Sequence, residues 1–118
     1  MRDRAIADVN VSGTWQTVAN ATIKLEQLGS TLTGEFTIDR KDSDEIVTGA
    51  LAGTVNGSQV AFTVRWHEFH AITSWVGELV AGSNPPELRT AWQRTSGEAA
   101  DRNWASITAG TDAFTKRP

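Results

Sequence analysis

VNGSQVAFTVRW, Val55 to Trp66, has the pattern of a β-hairpin. Asn56-Gly57 is the dipeptide favoured in a type I′ turn, whose two central residues need positive φ. Beyond it Val60, Phe62, Val64 and Trp66 alternate with Ala61, Thr63 and Arg65. That period of two puts the large apolar side chains on one face of a strand. Upstream, Ile46 to Val55 supplies the partner strand.

The same alternation extends in both directions. Thr31 to Ile38 sets Leu32, Gly34, Phe36 and Ile38 against Thr31, Thr33, Glu35 and Thr37, after the turn signal QLGS at Gln27 to Ser30. Before that, Trp15, Thr17 and Ala19 share a parity that Ala21, Ile23 and Leu25 continue. The charge run DRKDSDE, Asp39 to Glu45, reads as a solvated loop. Downstream, HEFH (His67 to His70) makes a turn, and Ala71, Thr73, Trp75, Gly77 and Leu79 form the next inward set. Pro85-Pro86 interrupts the chain before a strand that carries Thr90, Trp92 and Arg94 on one face. Ser96 to Asn103 has a short helical pattern, and from Ile107 a last strand groups Thr108, Gly110, Asp112 and Phe114. About eight strands joined mostly by short turns predict an all-β fold, an eight-stranded antiparallel up-and-down β-barrel. A barrel of that size encloses room for one small ligand.

A chain of 118 residues suits one domain, with residues 1–11 as a flexible N-terminal segment and 12–118 as the barrel. The absence of cysteine removes disulfides and thiolate metal sites. A net charge of −3, with both signs mixed along the chain, argues against a nucleic-acid partner. No apolar run approaches the roughly 20 residues of a helical membrane span, so no membrane partner is expected. The start, MRDRAIADVN, lacks the apolar stretch of a signal peptide. It fits a cytoplasmic protein, or a secreted one whose leader has been removed.

Catalytic signatures are missing: there is no nucleophile elbow, phosphate loop or dinucleotide fingerprint. His67, Glu68 and His70 lack the helical spacing of a zinc site and read as solvated turn residues, so neither metal nor cofactor is expected. Asp112 is the unusual residue, since a carboxylate on an apolar strand face is costly unless paired. It is satisfied by neighbouring indole N–H groups or water, or it accepts from a ligand, or it acts as a general acid or base. Arg94 pairs with an acid of the 39–45 loop or meets a ligand carboxylate. Trp66, Trp75 and Trp92 are either plain core or the wall of a pocket.

Several short motifs, taken together, are similar to one known family. They are GTW at Gly13 to Trp15, LTGEF at Leu32 to Phe36, VNGSQVAFTVRW, TSW at Thr73 to Trp75 followed by Gly77, TAW at Thr90 to Trp92 followed by TSG, and NWASITAGTDAFTK at Asn103 to Lys116. From Gly13 to Lys116 the chain resembles the avidin and streptavidin family. The resemblance implies a barrel with a ligand pocket at one open end and Trp66, Trp75 and Trp92 on its wall. Trp104 falls where tetrameric members reach across to cap a neighbour's pocket. No cysteine stands where dimeric relatives often carry a lid disulfide, so a homo-tetramer is expected, with a dimer as the alternative.

The departures bear on the ligand. Where biotin binders place an asparagine, a serine and a tyrosine around the ureido oxygen, this chain has Thr17, Ala21 and Phe36. The acceptor for one ureido N–H is replaced by Ile38; the acceptor for the other, and the hydroxyl near sulfur, match Asp112 and Thr73. Polar partners of the biotin tail become Phe69 and Ala71, and a wall leucine becomes Arg94. Each unpartnered buried polar atom costs about 1–3 kcal/mol, so several together remove powers of ten in affinity. The expected function is therefore binding of an apolar or aromatic small molecule, with biotin bound weakly or not at all. One alternative is a genuine biotin binder that uses Thr17, Thr73 and Asp112. Another, by fold-level analogy, is a cofactor-free cyclase of apolar polyketide-type substrates that uses Asp112 and Arg94.

Overall fold

A computed structural model describes residues 7–40, 45–95 and 107–118. Eight antiparallel strands follow one another around a closed barrel: β1 (Gly13–Gln16), β2 (Ala21–Leu28), β3 (Thr31–Arg40), β4 (Glu45–Asn56), β5 (Gln59–Trp66), β6 (Ile72–Leu79), β7 (Glu87–Thr95) and β8 (Ile107–Lys116). Closure comes from β1 against β8, with Trp15 opposite Lys116 and Gln16 opposite Thr115.

The alternating residues face inward as their parity requires. Val60, Phe62, Val64 and Trp66 are all buried, while Gln59, Thr63 and Arg65 are exposed. Glycine permits close backbone approach where the sheet curls. A Cβ on Gly34 would fall on the Lys24 carbonyl oxygen, and one on Gly77 on that of Arg89.

Three local expectations are corrected. The β4–β5 turn is Gly57-Ser58 rather than Asn56-Gly57, because Asn56 pairs with Gln59 and Val55 with Val60. This register sets two buried valines opposite each other, and positive φ at Gly57 alone fits a type II′ turn. The 39–45 charge run is not wholly loop: Asp39 and Arg40 extend β3, and Glu45 opens β4 opposite Arg40. Finally, residues Asp8 to Val11, expected in a flexible segment, are tied to the barrel. The Gly57 N–H donates to Asp8 Oδ1 at 2.8 Å. Gln27 accepts from the Val11 N–H through Oε1 at 2.8 Å and donates through Nε2 to the Val9 carbonyl at 2.9 Å. The Trp15 indole N–H donates to the Val11 carbonyl, and Val11 is wholly buried.

These contacts plug one end of the barrel, where the β2–β3, β4–β5 and β6–β7 turns lie. The opposite end carries the β1–β2 and β5–β6 connections. The short helical pattern at Ser96 to Asn103 lies outside the described residues.

Candidate functional site

Near the open end the inward faces of β3, β5 and β6 bring four aromatic rings together. Trp75 stacks between Phe36 (ring centroids 4.8 Å apart, planes at 20°) and Phe62 (5.3 Å, 22°). Trp66 meets Phe36 edge-on at 5.3 Å. Offset stacks and edge contacts of this kind add to burial, so this layer forms a rigid floor.

Both indole N–H groups in that layer have acceptors. Trp75 Nε1 donates to Asp112 Oδ2 at 3.0 Å, and Trp66 Nε1 donates to Thr73 Oγ1 at 3.0 Å. The half-buried Asp112 carboxylate thus faces inward and is partly satisfied by an indole, while its backbone carbonyl accepts from Thr90 Oγ1 at 3.0 Å. The Thr73 hydroxyl, used as an acceptor, keeps its own hydrogen to donate.

Above the floor lies a cavity of about 200 Å³. Thr17, Ala19 and Ala21 border it from the β1–β2 side, Phe36 and Ile38 from β3, and Trp66, Thr73 and Trp75 from β5 and β6. Trp92, Arg94 and Asp112 complete the wall. Ten of the thirteen residues singled out in the sequence thus come together; Ala19 joins them. Thr17 shapes its own turn, because its hydroxyl oxygen accepts from the Ala19 and Ala21 N–H groups at 3.2 and 3.3 Å. Asn20 takes positive φ in the same turn.

Phe69 and Ala71 are placed differently. With Arg65, His70, Ile72 and Thr95 they border a neighbouring cavity of about 490 Å³ that shares Trp66 with the first. The Phe69 ring lies nearly parallel to Trp66 at 6.1 Å. Trp104 lies outside the described residues.

Two glycines had no place in the expected site yet shape it. A Cβ on Gly110 would lie 2.5 Å from Trp92 Cζ2, so the Trp92 indole rests on the bare backbone of β8. Gly49 makes room chiefly for Val64, whose Cγ1 would be 2.4 Å from an added Cβ, and to a lesser extent for Trp66, whose Cε3 would be 3.1 Å away. The signal for both was an inward-parity glycine directly across from a tryptophan, as Gly110 is from Trp92 and Gly49 from Trp66.

Charges at the mouth divide by role. Glu68 accepts from the Thr48 backbone N–H at 2.9 Å and from its hydroxyl at 3.0 Å, which anchors the β5–β6 connection to β4. The backbone hydrogen bond from Thr48 is the main reason its carboxyl sits below the ordinary value. Among the described residues no cluster of histidine and carboxylate could hold a metal ion. Arg94 is half-buried, and its Nε is fully buried with no hydrogen-bond partner among the described residues.

The chain matches the sequence model of the avidin family over residues 5–117. Its structure is similar to the crystal structure of xenavidin, with a TM-score of 0.78 and 22% sequence identity over 92% of this chain and 97% of that one.

Proposed function

Since this chain belongs to the avidin family, we propose that its open end binds a small apolar or aromatic molecule, and biotin only weakly or not at all. Family membership supports small-molecule binding in general. The ligand class rests on one observation: Phe36 lies flat on Trp75 where the resemblance implies a tyrosine hydroxyl, with Ala21 and Ile38 bordering the same cavity. A ureido group placed there would meet hydrocarbon on three sides. Loss of several hydrogen bonds at about 1–3 kcal/mol each outweighs what Thr73 and Asp112 return. A cavity of about 200 Å³ also falls below the roughly 300–1,000 Å³ of drug-sized sites, which favours a compact ligand.

Titration calorimetry with biotin and with indole separates the cases. Indole binding, with biotin no tighter than micromolar, supports the reading; a nanomolar biotin constant overturns it.

We also propose a homo-tetramer. Ile72, Val76 and Ile107 are 49–62% exposed on the outer face of β6 to β8, among small neighbours such as Ala91 and Ala109. Exposed apolar side chains on this face, interspersed with Ser74, Gln93 and Thr95, suit a second copy of the chain. Sedimentation at micromolar concentration tests the assembly, with a dimer or a monomer as the outcomes against it.

A further inference from the structure

Building on the pocket reading above, we infer that the ligand is a small aromatic acid, its anionic group held by Arg94 near the mouth and a hydrogen-bond donor at its other end taken by Asp112.

Three observations carry this. First, Arg94 borders the cavity, and among the described residues its guanidinium has no acceptor; its Nε is enclosed, so a ligand in the cavity meets the terminal nitrogens. A guanidinium keeps its charge at any ordinary pH, so an unpaired buried donor on it is expensive. A carboxylate supplies two acceptors in the geometry of the guanidinium fork.

Second, the internal acid does not fill that role. Asp112 borders the same cavity, but its Oδ2 accepts from Trp75. Arg94 stands opposite Thr108, four residues before Asp112 on β8, or about 14 Å along the strand at ~3.4 Å per residue. Between the two charges lie Trp92 and the bare backbone of Gly110, which gives a flat aromatic wall.

Third, the charges are graded. The neighbouring cavity at the same mouth adds Arg65 and His70 to its lining, while the Glu68 carboxylate of the same connection is taken up by Thr48. Arg94 thus marks the anion's end of the pocket and Asp112 the donor's. A para-substituted ring, with a carboxylate chain at one end and a hydroxyl at the other, matches both.

The test uses three probes with the full chain: 3-(4-hydroxyphenyl)propionate, its neutral amide, and 3-phenylpropionate. Binding is read by calorimetry. The acid should bind about 10- to 100-fold tighter than the amide, the span expected for one charge-assisted pair. That ratio should fall to near one in R94Q, and 3-phenylpropionate should bind more weakly than its hydroxylated counterpart. An amide equal to the acid, or an R94Q variant that keeps the preference, overturns the inference while amide binding keeps the pocket reading intact. If none of the three probes binds a chain shown folded by near-ultraviolet circular dichroism, the inference falls, and the indole titration decides the pocket reading separately. Should R94Q not fold, the acid-to-amide ratio of the unaltered protein decides, supplemented by R94M.

Discussion

The two ends of the barrel interior are built on the same strands and the same parity, yet they do opposite things. On β8, Phe114 is wholly buried, and Asp112, two residues away on the same face, borders a cavity. On β7 the sequence Leu88, Thr90, Trp92, Arg94 runs from a fully buried side chain to one that lines the mouth. The boundary is the stack of Phe36, Trp75 and Phe62. Below it leucine, valine and phenylalanine fill the space; above it Thr17, Ala19 and Ala21 are too small to do so. The cavity thus exists because the β1–β2 side of the mouth carries only small side chains, while Trp66, Trp92 and Arg94 line the rest of its wall. The strands themselves continue unbroken.

The sharpest way to break this comparison is to delete a large side chain on each side of the boundary. Phe114→Ala at the closed end should cost about 3–5 kcal/mol, because the closed end is packed too tightly to collapse around the void. Ile38→Ala, at a residue only partly buried beside an existing cavity, should cost about 1 kcal/mol or less. Urea unfolding with matched m-values measures both. Similar losses would mean that the open end is packed as tightly as the closed one.

A change in the other direction probes the wall. Gly110→Ala should displace the Trp92 indole and cost about 1–3 kcal/mol by overpacking. Tryptophan fluorescence should shift along with the urea midpoint. An unshifted emission spectrum would show that Trp92 does not depend on the bare backbone beneath it.

Much of this was legible in the sequence, because a period of two reports directly which side of a strand each residue faces. Asp112, Trp92 and Arg94 were placed on inward faces from parity alone, and the order of strands followed from the short turns. What escaped depends on pairing between distant segments. The choice of Gly57-Ser58 over Asn56-Gly57 is settled by Val55 meeting Val60, and either register keeps the same parity. The anchoring of Asp8 to Val11 needs Gln27 and Gly57, which no local pattern connects to them. The split between the Trp75 cavity and the one beside Phe69 and Ala71 arises from how rings pack, and the size of the cavity does too.

Smaller effects come from the polar bonds that hold the floor. Thr73→Val keeps the shape and removes the acceptor of the buried Trp66 N–H, at a cost of about 1–2 kcal/mol. Asp112→Asn keeps an acceptor for Trp75 and should cost less. A double-mutant cycle of the two checks whether these bonds act independently. Strong coupling would mean that the floor behaves as one network.

The smallest effect separates the two ends by pH. Gln27, a neutral amide, ties the closed end, whereas the carboxylate of Glu68 anchors the open-end connection through Thr48. The folded Glu68 carboxyl lies below its ordinary value of 4.5, chiefly through the Thr48 backbone hydrogen bond. The anchoring contribution is therefore fully present above that ordinary value and lost as pH falls through the lowered folded one. Amide exchange followed by NMR should show protection at the Thr48 N–H disappearing over that acid interval, after correction for the intrinsic rate. Protection at the Val11 N–H, bonded to Gln27, should persist through it. In E68Q the Thr48 amide should lose this pH dependence. Equal acid sensitivity at Thr48 and Val11 would show that the ends loosen together, as one cooperative barrel, with no separate unit at the mouth.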